Sequence, residues 1–119
     1  MADIKLGAVE TRFAEIVWEN EPISTTQLVK ICAQELQWKR TTTYTVLKKL
    51  SEKGLFMTEN SIVTALISKQ EFEAMQSEQF VEENFSGSLP AFLAAFSTRK
   101  KLSDEEIDEM KLLIEKMRG

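Results

Sequence analysis

Histidine is absent from this 119-residue chain, and cysteine occurs once, as Cys32. Without imidazoles or a second thiolate there is no ligand set for zinc, copper or an iron–sulfur cluster, and no intrachain disulfide. No metal or cofactor is expected. The same shortage removes the usual general base, and no nucleophile motif or glycine-rich phosphate loop replaces it, so the chain does not read as an enzyme. Asp104-Glu105-Glu106 is not an acid–base dyad but a run suited to a helix N-terminus, where anions complement the dipole. With only four glycines and two prolines, the composition favours a compact, helix-rich fold over a disordered one. No signal-like segment and no span of about 20 apolar residues occurs, so a cytoplasmic protein without a membrane partner is expected.

What the chain does have is an uneven distribution of charge. Its net charge is −4, yet residues 1–54 carry eight basic and seven acidic side chains, whereas residues 55–119 carry seven and twelve. Against this background the stretch Trp38–Gly54 holds five cations and one carboxylate. Wound as a helix at about 100° per residue, that stretch sorts into two faces. Thr43, Val46, Leu47 and Leu50 share one; Thr41, Thr42, Thr45, Lys48 and Lys49 share the other. A short cationic surface rich in hydroxyls and methyls suits phosphates and base edges in a DNA major groove. Arg40, Lys48 and Lys53 read as phosphate binders, because flexible cations carry little sequence information. Lys39 precedes them. Tyr44, near the edge of the apolar face, either reaches a phosphate or packs. Trp38 reads as a core plug.

The remaining pattern predicts the frame around that helix. Leu6, Val9, Phe13, Ile16 and Val17 recur at helical spacing and give a first helix over about 5–19, ended by Asn20-Glu21-Pro22. Ser24 caps a second helix, with Gln27 completing a capping box and Ile23 stapled to Leu28. Ser24 and Thr25 also offer hydroxyls to phosphate at that helix start. A short turn at Gln37-Trp38-Lys39 separates the second helix from the cationic one, which stops at Gly54; two helices so joined form a helix-turn-helix. A hairpin follows, 55–58 and 62–67 around Glu59-Asn60-Ser61, and makes the unit winged. The fold expected is mainly α: a winged helix-turn-helix over residues 1–70, then a helical region over 71–119. In the latter, capping boxes at Ser68/Glu71 and Ser103/Glu106 open helices, and Ser86-Gly87-Ser88 breaks the chain. The last helix places Ile107, Met110, Ile114 and Met117 at 3-4-3 spacing, a coiled-coil-like seam. About two heptads are too short to stand alone, so this seam needs a partner.

Trp38-Lys39-Arg40-Thr41-Thr42-Thr43-Tyr44-Thr45, then Val46-Leu47-Lys48-Lys49-Leu50 and Lys53-Gly54, resemble the penicillinase-repressor family of winged-helix regulators. The likeness continues through Phe80, Phe85-Ser86-Gly87 and Phe92–Phe96 to Leu102–Ile107. It implies a homodimeric transcriptional repressor on a palindromic operator, controlling a β-lactamase-type or antibiotic-response operon. Residues matching Thr41, Thr42, Thr45 and Lys49 face DNA in the family, and C-terminal helices form the dimer. That assigns Phe80, Phe85, Phe92, Phe96, Ile107, Met110, Ile114 and Met117 to dimerisation. Family members are inactivated when a membrane sensor-protease pathway triggers cleavage at an Asn-Phe bond, which corresponds here to Ala95-Phe96. Three departures stand out: Ala95 replaces that Asn, Lys39 replaces a Ser cap, and residues 55–67 of the wing contain no Lys or Arg. The uncharged wing and the acidic total keep a second reading open, a winged-helix module that docks a protein without specific DNA binding.

Overall fold

The computed structural model describes residues 4–119. Its helices are α1 (Ala8–Asn20), α2 (Thr25–Leu36), α3 (Arg40–Glu52), α4 (Lys69–Phe85), α5 (Leu89–Ser97) and α6 (Asp104–Met117). The strands are β1 (Ile23–Ser24), β2 (Phe56–Glu59) and β3 (Ile62–Ala65), in an antiparallel sheet of order β1-β3-β2. This is a mainly α winged helix-turn-helix with helices after it, as expected. The chain forms two compact units, one ending at Ser77 and the other running from Glu78 to Gly119. The first therefore extends past residue 70, because α4 opens by burying Phe72 in its core.

Local chemistry sets most boundaries. Ser24 Oγ accepts the Gln27 N–H at 3.1 Å. Ser68 and Glu71 exchange bonds of 3.0 and 3.2 Å, and Ser103 with Glu106 does the same at 3.1 Å in both directions. These are the side-chain caps that exposed helix starts require. The first helix differs from expectation: it begins at Ala8 rather than Lys5. Gly7 is extended there, and its N–H donates to Glu10 Oε1 at 3.0 Å, fixing the start three residues later. Val9, placed on the apolar stripe by spacing, is 53% exposed.

The sheet departs from expectation twice. Strand β1 pairs Ile23 with Val63 and Ser24 with Ile62, adding a third strand to the hairpin. The hairpin turn is two residues, Asn60-Ser61, not three; both have positive φ, 52° and 62°. That is the backbone hand that matches strand twist.

Aromatic rings tie the first unit together. Phe13 stacks on Trp38 at 5.6 Å and meets Phe56 edge-on at 6.4 Å. Trp18 meets Phe56 at 5.7 Å and Phe72 at 5.5 Å, while its indole N–H donates to the Ile67 carbonyl at 3.0 Å. Trp38 is thus the core plug expected from the sequence. In the second unit Phe80, Phe85, Phe92 and Phe96 form a chain of ring contacts at 5.5–6.2 Å. No residue of α5 or α6 is buried.

Candidate nucleic-acid interface

The joint between α2 and α3 is built by backbone. Gln37 takes the left-handed conformation at φ 55°, and the N–H groups of Gln37 and Trp38 both donate to the Cys32 carbonyl. This turns the chain sharply, and Trp38, held by Phe13, fixes where α3 begins. Thr43, Leu47 and Leu50 bury the inner face of α3, with Val46 half-buried. Burial pushes the Cys32 thiol above its ordinary pKa, against a hydrogen bond with the Thr43 side chain. Cys32 is a packed thiol of the α2 stripe.

The outer face carries Thr41, Thr42, Thr45, Lys48 and Lys49, all exposed. Thr45 Oγ1 donates to the Thr41 carbonyl at 2.9 Å. Its one hydroxyl proton is thereby used, leaving a methyl and acceptor lone pairs outward, groups that suit a thymine methyl or a base amino group. Lys39 is the N-cap residue of α3 and makes no side-chain cap, as its replacement of serine leads one to expect. With no acid in the first turn and Lys39 and Arg40 beside it, this helix end is electropositive, a setting that favours anions.

The cations of α3 differ in what holds them. The Arg40 guanidinium lies 5.4 Å from the Tyr44 ring centroid, a cation–π pair one turn apart. Lys49 Nζ pairs with Glu10 Oε2 at 2.7 Å, and Lys53 Nζ donates to the Lys5 carbonyl at 2.8 Å. Among the described residues, Lys39, Arg40 and Lys48 are in no ion pair, and Glu52 is the one carboxylate of α3. Tyr44, half-buried, packs under Arg40.

At the start of α2, Ser24 is half-buried and spends its oxygen on capping. Thr25 is buried, and its N–H donates to the Ser61 carbonyl at 2.9 Å. The exposed hydroxyl at that end belongs to Thr26, which sequence reasoning missed. Spacing held the clue: Thr25 lies three residues before Leu28 and seven before Cys32, on the buried stripe. The wing tip presents Glu59, Asn60 and Ser61, with no cation.

The Lys49 ammonium and the Gly7 N–H hold the Glu10 carboxyl below its ordinary pKa of 4.5. A carboxyl depressed in the fold adds stability above its unfolded pKa and loses it as pH falls through the folded one. Between about pH 5 and about pH 3, wild-type Tm should therefore fall further than that of Glu10→Gln, in matched thermal melts. Parallel curves would rule the link out.

In the second unit Phe80 (51%), Phe96 (40%), Ile107 (37%), Ile114 (51%) and Met117 (66%) are exposed, while Phe85, Phe92 and Met110 are half-buried. Leu112 and Leu113, outside the 3-4-3 pattern, are 66% and 59% exposed. Ala95 and Phe96 lie on exposed α5, and the Ala95 carbonyl accepts from Thr98. Among the described residues no cluster of three metal-binding side chains occurs, and no helix is long and apolar enough to cross a membrane.

A winged helix-turn-helix with this outer face fits one family in particular. The penicillinase-repressor family model matches residues 6–116. The chain belongs to that family. It is 23% identical over 115 residues to the penicillinase repressor of Bacillus licheniformis, covering 93% of this chain and 90% of that protein. It is 21% identical over 116 residues to the methicillin resistance regulatory protein MecI of Staphylococcus aureus strain Mu50, covering 94% of each. The Mammaliicoccus sciuri protein of the same name is 20% identical over the same length. Membership gives this penicillinase-repressor homologue a role in transcriptional repression through DNA binding.

Proposed function

We propose that the repressor acts as a homodimer on a pseudo-palindromic operator, with one α3 in each of two successive major grooves. Half-sites about 10 bp or more apart would match the two-fold axis. The observation that carries this reading is the outer face of α3: Thr41, Thr42, Thr45 and Lys48 exposed together, next to an Arg40 braced on Tyr44. The brace turns a flexible cation into an oriented planar fork at the first position of a recognition helix, where base edges are met. We assign Arg40 to a guanine and Lys48, with Lys39, to phosphates. Thr25 is buried and has no part in this surface. The dimer rests on α6, where Ile107, Ile114 and Met117 are exposed apolar side chains at seam spacing.

Arg40→Ala should weaken operator binding by about 1–3 kcal/mol and erase the preference at one base pair per half-site. Lys48→Ala should weaken all sequences alike and lower the slope of log K against log salt by about one per chain. Both are read by fluorescence anisotropy on duplexes selected from fragments of the source genome, which also identifies the regulated operon. A response independent of salt would instead favour the protein-docking module that the cation-free wing suggests. Induction by a sensor protease at Ala95-Phe96 is checked by mass mapping after incubation with such an enzyme; an intact chain points to another inducing route.

A further inference from the structure

Glu10 lies on α1, outside the surface assigned to DNA, and its two oxygens do different things. Oε1 accepts the Gly7 N–H at 3.0 Å and closes the first turn of α1; Oε2 holds the Lys49 ammonium at 2.7 Å. The carboxylate side chain is 21% exposed and the lysine side chain 55%. A second tie runs from Lys53 Nζ to the Lys5 carbonyl, next to buried Ile4. The N-terminal segment thus grips two cations at the C-terminal end of α3. Lys48, one residue away, is exposed and has no acid partner among the described residues.

We infer that Glu10 limits DNA affinity by holding Lys49 away from phosphate, and so favours the operator over bulk DNA. This rests on the DNA reading above. A phosphate approaching Lys49 meets an ion pair and not a bare charge, so little counterion release follows from that contact. Non-specific binding is set almost wholly by the number of available cations, whereas operator binding also draws on base contacts. Neutralising one flanking cation therefore costs bulk DNA proportionally more. The ratio of the two affinities is what a repressor needs among many competing sites.

The test uses the full chain and two labelled duplexes long enough, at about 30 bp, for two half-sites one turn apart. One carries the sequence the wild type selects; the other is of mixed sequence. Glu10→Gln keeps an amide oxygen for the Gly7 N–H, so the α1 start is retained while the charge is lost. This variant should bind the mixed duplex about three- to fivefold more tightly, the scale of one exposed ion pair. Its salt slope should steepen by up to about one per chain, with a smaller gain on the selected duplex. In a Lys49→Gln background the same substitution should change neither quantity. Equal gains in both backgrounds would mean a general charge effect and overturn the role of Glu10, as would no gain at all. Absence of salt-dependent binding by the wild type would instead remove the DNA reading itself.

Discussion

Ile114→Glu should split the repressor into monomers and weaken operator binding by about 100-fold or more. Ile114 is 51% exposed and sits mid-seam between Met110 and Met117 on α6. Two copies facing there would meet as paired carboxylates, and the cost of desolvating them exceeds what the remaining apolar contacts return. Once the chains part, each half-site must be bound on its own. The effective concentration that linkage supplies, worth a factor of about 10² to 10⁴, disappears. Sedimentation should report the halved mass, and anisotropy on the selected duplex the lost affinity. The first unit should stay folded, since its buried core residues all lie within residues 4–72. Unchanged near-ultraviolet circular dichroism from Trp18 and Trp38 would establish that. An Ile114→Glu protein that remains dimeric would remove α6 from the interface. Replacing Leu112 on the opposite side of the helix would then be the next step.

The parts of this fold legible in the sequence are those governed by contacts within a few residues. Ser24, Ser68 and Ser103 announce helix starts because a cap is satisfied three residues on, and the buried face of α3 follows from spacing alone. Long-range pairing was not legible. Strand β1 has two residues and exists because β3, some 40 residues later, offers it a ladder. No periodicity can be read from so short a segment. The site divides the same way. Exposure of Thr41, Thr42, Thr45 and Lys48 follows from helical geometry. The grip of Glu10 on Lys49 joins residues 39 apart, and only the packing of α1 against the rest of the unit brings them together. The Arg40–Tyr44 pair lies between these cases: its i, i+4 spacing is visible in the sequence, but Arg40 reads there as a phosphate binder and Tyr44 as reaching a phosphate or packing.

Phe13→Ala should be the most damaging single change in the first unit. The ring is fully buried, stacks on Trp38 and meets Phe56 edge-on. It therefore links α1 to the turn that sets the start of α3 and to the first strand of the wing. Truncation removes its transfer free energy and leaves a cavity lined by two rigid rings that cannot collapse inward, for a cost of about 3–5 kcal/mol. At roughly 4–8 °C per kcal/mol for a domain of this size, Tm should fall by at least about 12 °C. Val9→Ala, on the same helix but 53% exposed, should stay within about 0.5 kcal/mol of wild type. The functional consequence follows from position. With Trp38 unsupported, the N-terminal end of α3 loses its fixed seat, so Arg40 and Thr41 no longer approach DNA in one register. Operator affinity should then fall more than non-specific affinity, even at temperatures where Phe13→Ala remains folded, because base contacts depend on placement and phosphate contacts only on charge. An equal loss on both duplexes would mean that Phe13 supports stability alone and that the seat of α3 is set elsewhere.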